Sequence, residues 1–212
     1  MSLTLYFLRH GQTACSRENA FCGSIDPELT SEGIEMAQAF AEAYRTTAWT
    51  AVFASPMKRT IATVNPICEA LGLEIQLRDG LREIHYGQWE GLSVDKVKET
   101  YREDHIRWTA DPAWYPPTGG EAAVAIATRA LKVVEEIKQR YSSGNVLVAS
   151  HKATIRILLC SLLGVDVGRF RYRIGCPVGS ISIVEFGDHG PLVRALAERS
   201  HLSERLRSLP GT

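Results

Sequence analysis

The sequence predicts an α/β protein, a three-layer α/β/α sandwich around a mainly parallel central sheet. Three observations predict it. Short apolar runs at residues 3–8, 50–54 and 145–149 alternate with longer segments of helical periodicity. Each run leads directly into polar residues and a helix start, as in a strand that hands over to a helix. The chain of 212 residues is 45% hydrophobic and 23% charged, an ordinary globular balance able to bury a core.

The elements follow in order. Residues 3–8 are too few for a membrane span and lack the basic start of a signal peptide, so they read as a buried strand. Residues 14–28, with Gly23 and Pro27, read as a loop. Thr30 or Ser31 caps a helix to about residue 46, with Met36, Phe40 and Tyr44 beside Ala37 and Ala41 as its apolar stripe. After the strand 50–54, Ser55 is expected to cap and Pro56 to open a helix toward residue 71, kinked at Pro66. Residues 74–77 form a short strand and 81–91 a loop. Ser93 caps a helix predicted to run to about 109, followed by a Pro- and aromatic-rich loop over 111–120. A helix over about 121–141, the strand 145–149 and a helix from His151 to Gly164, a natural C′ residue, come next. Strands at 180–186 and 192–197 pair as a hairpin, which makes one strand antiparallel. Residues 1–212 read as one domain, with the segment at about 93–120 as a helical cover.

Composition removes several function classes. Lys plus Arg and Asp plus Glu are both 24, so the net charge is zero, which argues against nucleic acid or an anionic membrane as partner. With no membrane span or secretory signal in sight, the expected location is cytoplasmic. Cys15, Cys22, Cys68, Cys160 and Cys176 are odd in number and form no Cys-x-x-Cys pair, so they read as reduced, small apolar residues without zinc spacing. There is no Cys-x5-Arg, no Asp-x-Asp and no Gly-Lys, which removes the thiolate phosphatase loop, the aspartyl nucleophile pair and the Walker loop.

Three strand ends carry chemistry. The first ends in Arg9-His10-Gly11, the second in Ser55-Pro56 with Arg59 one turn on, the third in Ser150-His151. Parallel neighbours would bring these groups to one sheet edge, where helix N-termini add backbone donors. Arg is a permanently charged fork for phosphate, and Gly11 lets the backbone come close to a ligand. His is a nucleophile when neutral, and nearby Arg charges favour that form. Glu83 can supply the proton a leaving alcohol needs, with His85 as its rival.

In order and spacing these residues resemble the histidine phosphatase superfamily, in its phosphoglycerate-mutase-like branch. The motifs are Arg9-His10-Gly11-x-Thr13, Asp26-x-x-Leu29-Thr30-x-x-Gly33, Ser55-Pro56-x-x-Arg59, Glu83-x-x-x-Gly87-x-Trp89-Glu90-Gly91, Gly119-Gly120-Glu121 and Ser150-His151. Within that branch the chain is similar to the broad-specificity and alpha-ribazole- or phosphoserine-type phosphatases. The resemblance implies a phosphoglycerate-mutase-like sandwich and a phosphoric monoester hydrolase of the histidine acid phosphatase type. It implies that His10 becomes phosphorylated, that Arg9, Arg59 and His151 hold the phosphate, and that Glu83 is acid and then base. It implies no metal and no organic cofactor.

The rim departs from the family pattern. Ser16 stands where Asn is frequent, Ala122 where Ser is common, and Cys22, before Gly23, where a polar residue is frequent. Thr13, Ser16, Cys22, Gly23 and Lys152 are the expected rim of the phosphate site. Lys152 sits at a helix start, where the dipole disfavours a cation by about 0.3–1 kcal/mol. Two placements stay open: its stem swings to solvent, or it faces the site and favours substrates with a second anionic group. Arg169, Arg171 and Arg173 read as a solvated face rather than a second anion site. Trp108, Trp114 and Tyr115 either touch an organic leaving group or pack the cover onto the sheet. The expected activity is hydrolysis of a small phosphorylated metabolite. The alternatives are a phosphoglycerate mutase and a non-catalytic module for phosphorylated ligands. The identity of the ester and the oligomeric state, a homodimer included, stay open.

Overall fold

A computed structural model describes residues 2–211; Met1 and Thr212, the ends of the predicted domain, lie outside the described residues. The elements are β1 (Leu3–Arg9), α1 (Ala14–Arg17), α2 (Ser31–Tyr44), β2 (Trp49–Ala54), α3 (Lys58–Leu71), β3 (Ile75–Leu77), α4 (Val94–Thr100), α5 (Arg102–Ala110), α6 (Ala123–Arg140), β4 (Gly144–Ser150), α7 (Lys152–Leu162), α8 (Phe170–Arg173), β5 (Ile181–Gly187), β6 (Gly190–Glu198) and α9 (Glu204–Arg207).

The strands form one sheet in the order β3-β2-β4-β1-β5-β6. β3, β2, β4 and β1 are mutually parallel, and β5 runs against both β1 and β6. This is the predicted mainly parallel sheet with its antiparallel exception. Alternate residues of each strand feed opposite layers. Leu5, Phe7, Phe53, Val146 and Val148 pack against α6 and α7. Leu8, Val52, Ala54, Leu147 and Ala149 pack against Phe40 of α2 and Val64 and Ile67 of α3.

Several local expectations are corrected. Residues 14–17, predicted as loop, form α1, because Thr13 and Ser16 make a reciprocal capping box. Ser55 does not cap α3; the Asp26 carboxylate accepts from Lys58 N at 2.8 Å instead, from a distant loop. Pro66 does not interrupt α3, since the carbonyl it deprives is that of Ala62, an exposed residue. The predicted helix 93–109 is two helices, broken at Tyr101, whose backbone leaves the helical region at φ −123° and ψ 44°. Phe21, Trp89, Val97 and Trp108 form the aromatic core of this cover.

Gly11 and Gly33 meet at a close approach inside the fold. A Cβ on Gly11 would collide with the Gly33 carbonyl oxygen, and one on Gly33 with that of Gln12. The two glycines let the first turn of α2 lie directly on the backbone that follows β1, and Thr30 N donates to Gln12 O there at 2.9 Å. The close approach that the structure shows at Gly11 is to α2. Gly33→Ala is expected to cost about 1–3 kcal/mol, the usual range for overpacking. A lowered midpoint in chemical denaturation checks this; an unchanged midpoint would refute the packing account.

Candidate active site

Parallel pairing sets three strand ends side by side: Arg9 opposes Ser150, and Ala54 opposes Ala149. The chain leaving β1 is fixed on several sides. His10 N donates to Ser150 O at 3.1 Å, Gly11 N to Thr63 Oγ1 at 3.0 Å, and Gly179 N to His10 O at 3.2 Å. Arg9, His10, Arg59 and His151 are all at most 5% exposed.

His10 Nδ1 lies 2.7 Å from Gly11 O. A carbonyl only accepts, so Nδ1 carries the proton and Nε2 keeps its lone pair. Burial, and then the charges of Arg59 and Arg9, hold the His10 pKa well below its usual value. His151 is the opposite tautomer. Arg59 Nε donates to its Nδ1 at 3.2 Å, so the proton is on Nε2, which donates to Ser55 Oγ at 2.8 Å. Burial and Arg59 push the His151 pKa down as well. The two rings are 5.3 Å apart.

The arginines are held differently. Arg59 Nη1 donates to Ile25 O at 2.8 Å and to Asp26 Oδ1 at 3.2 Å, and its Nη2 donates to Gly23 O at 3.1 Å. Arg9 Nη1 donates to Cys176 O at 2.6 Å and to Gly211 O at 2.5 Å, while its buried Nε has no partner among the described residues. Glu83 sits at the start of α7. Its carboxylate accepts from Ile84 N at 3.0 Å, Ala153 N at 3.2 Å and Thr154 N at 3.3 Å. Glu121 fixes the Glu83 loop from behind through Arg129, which donates to Glu121 at 2.8 Å and to Glu83 O at 3.2 Å. Glu90 ties that loop to the 23–26 segment that holds Arg59, accepting from Tyr86 N at 3.1 Å and Ser24 N at 2.8 Å.

These groups surround a cavity of about 480 Å³. Of the residues singled out from sequence, Arg9, His10, Thr13, Ser16, Cys22, Gly23, Arg59, Glu83 and Lys152 line it. His151 lies behind that wall, with both ring nitrogens engaged by Arg59 and Ser55. His85, the rival acid, is half exposed and accepts from Gly87 N at 3.2 Å, away from the lining. The Ser16 hydroxyl spends its proton on Thr13 O at 2.9 Å, and burial pushes the Cys22 thiol up, so neither adds charge.

Lys152 does face the cavity; burial, with Arg9 and Arg156 nearby, brings its pKa down to about 8, which leaves it mostly charged at neutral pH. Trp108 reaches the lining, whereas Trp114 is 70% exposed and neither it nor Tyr115 touches the cavity. Arg171, read from sequence as solvated, lines the cavity with Arg156 and Tyr172. Arg156 was findable, one helical turn beyond Lys152. Nothing in the local sequence separates Arg171 from its exposed neighbours Arg169 and Arg173.

Because both rings bind protons less readily folded than unfolded, unfolding free energy should fall as pH drops through the unfolded value of about 6.5. Ring nitrogen shifts measured by NMR at pH 6 should report neutral His10 and His151; protonated rings at that pH would contradict the assignment.

A neutral imidazole beside two buried guanidinium groups, at the C-terminal edge of a parallel sheet, marks an α/β protein with an anion-binding edge. The chain belongs to the histidine phosphatase superfamily (branch 1), whose sequence profile matches residues 5–199. It is 32% identical over 200 residues to phosphoserine phosphatase 1 of Hydrogenobacter thermophilus, covering 94% of each chain. It is 30% identical to the 2,3-bisphosphoglycerate-dependent phosphoglycerate mutase of Parvibaculum lavamentivorans, over 90% of this chain and 93% of that one. Among solved structures, Bacillus stearothermophilus YhfR superposes with a TM-score of 0.89 at 25% identity, over 95% of this chain and all of that one.

Proposed function

We propose that the protein is a phosphomonoesterase that hydrolyses a small phosphorylated metabolite through a phosphohistidine on His10. One observation carries this reading: His10, held neutral by burial and the arginine charges and with its Nδ1–H committed to Gly11 O, keeps a lone pair on Nε2 in a cavity shared with Arg9, Arg59 and Glu83. In the first step Nε2 forms a bond to phosphorus and the bond to the leaving oxygen breaks. Glu83 gives its proton to that oxygen, releasing the alcohol. The ring gains positive charge, which the Gly11 carbonyl stabilises through Nδ1–H. In the second step Glu83 takes a proton from water, the water oxygen bonds to phosphorus, and the N–P bond breaks to release inorganic phosphate.

Arg9 and Arg59 stabilise the charge on the transferring group throughout. His151 serves the phosphate through Arg59, whose Nε it fixes, rather than through a free ring nitrogen. Thr13, Ser16, Cys22 and Gly23 shape the rim. Residues 1–212 act as one domain under the α4–α5 cover. The five free cysteines support a reducing, cytoplasmic setting. Among the described residues no helix is long and apolar enough to cross a membrane.

The second reading, a phosphoglycerate mutase, draws support from the mutase among the relatives. Incubation with phosphoglycerate separates the two: the phosphatase releases inorganic phosphate, the mutase yields the isomer. His10→Ala should abolish turnover and acid-labile labelling by a radioactive aryl phosphate. Glu83→Gln should slow turnover by about 10²–10⁴-fold, the range of general acid–base catalysis. A His10→Ala protein that still traps a phosphoenzyme would overturn the mechanism.

A further inference from the structure

The chain is electrically balanced, with 24 basic and 24 acidic residues, but its cavity is not. Arg9, Arg59, Lys152, Arg156 and Arg171 line it against a single carboxylate, Glu83. Within the protein these cations are answered unequally. Arg59 has Asp26, and Arg9 has two backbone carbonyls. Arg156 donates to the carbonyls of Ile174, at 2.5 Å, and Arg171. Lys152 and Arg171 take part in no ion pair among the described residues.

Arg171 is held in place without being neutralised. Its guanidinium carbon sits 3.9 Å from the centre of the Trp108 ring, so the cover stacks against it. Its backbone carbonyl is anchored by Arg156. Its Nη1 is buried with no hydrogen-bond partner. A buried, unpaired guanidinium donor is costly unless a ligand completes it.

Position tells which part of the ligand would do so. Lys152 is the residue before Ala153, whose N–H holds the Glu83 carboxylate. Glu83 faces the leaving oxygen in the mechanism above, so Lys152 flanks the leaving group. Arg156 follows one turn along α7, and Arg171 is tied to it, so the unpaired charge continues away from Glu83 on that side. A phosphate dianion held by Arg9 and Arg59 would leave this second group of charges unmet.

We infer that Lys152 and Arg171 form a second anion subsite, which selects phosphate esters whose leaving group carries its own carboxylate or phosphate. The inference rests on the phosphatase reading for the position of the leaving group. Arg171 supplies a planar fork on a fixed aromatic platform, and Lys152 a compact charge beside the leaving oxygen. Arg156 acts behind them as a positioning residue through the Arg171 carbonyl.

The test compares matched esters that differ only in the second charge: 3-phosphoglycerate against glycerol 3-phosphate, and propanediol bisphosphate against propanediol monophosphate. For the wild-type protein, kcat/KM should favour the doubly anionic member of at least one pair by about tenfold, the worth of one charge-assisted contact. The two pairs show whether carboxylate or phosphate is preferred. Lys152→Met and Arg171→Met should each lower that preference severalfold, mainly through KM, and Arg171→Lys should restore part of it. A wild-type protein that turns over these esters with a preference near one in both pairs, or a preference that survives both Met variants, overturns the subsite and leaves the phosphatase reading intact. If no ester releases phosphate, the phosphatase reading falls. Calorimetric affinities of the same ester pairs for the same variants then decide the subsite: a charge preference lost in the Met variants supports it, and equal affinities refute it.

Discussion

β4 lies between β1 and β2 in parallel register, and the rest of the site depends on that pairing. The register sets Arg9 level with Ser150 and Ala54 level with Ala149, so three chains leave the sheet at the same height. A slip of one residue would turn every side chain in β4 to the other face, and both faces are buried. The register also provides direct ties across the site: Ser55 N donates to Ala149 O at 3.0 Å, and Ser150 Oγ to Leu81 O at 2.7 Å. The last of these anchors the segment that leads into Glu83. His10, Arg59 and Glu83 are thus positioned from one sheet edge.

Burial of charge is the second constraint. Arg59 is enclosed by the carbonyls of Gly23 and Ile25, the Asp26 carboxylate and the His151 ring. Each partner offsets part of its desolvation, and Asp26 caps α3 at the same time. Burial, and then the field of Arg59 and Arg9, lowers the pKa of both His10 and His151. The two guanidinium groups beside His10 therefore also help to keep its ring neutral. The cover extends this arrangement outward, because Trp108 belongs both to its aromatic core and to the cavity wall.

The fold was largely legible. Apolar runs of strand length between amphipathic helices identify a parallel sheet because only a strand buried on both faces lacks polar alternation. The meeting of polar residues at one sheet edge was legible because strand ends carry the next residues of the chain with them, as Arg9-His10 and Ser150-His151 do. What escaped was set by distant contacts. Asp26 rather than Ser55 caps α3 across 32 positions of sequence. Gly11 serves the approach of α2, and the backbone at Tyr101 divides the cover. No local pattern separates Arg171 from Arg169 and Arg173, since its burial depends on where Trp108 lies.

By itself the sequence determined the α/β class, the order of its elements and the residue types at the sheet edge, because these follow from hydrophobic period and from adjacency along the chain. Tertiary structure alone decided which nitrogen of His10 carries the proton, since the tautomer depends on the Gly11 carbonyl turning back onto the ring. It alone placed His151 behind Arg59 rather than in the cavity wall, through paired bonds to residues over 90 positions away. It also settled Lys152, left open between solvent and site, by packing it beside Arg9 and Arg156. Tautomer, burial and field are properties of neighbours in space, and the chain brings those neighbours together only when β1, β2 and β4 align.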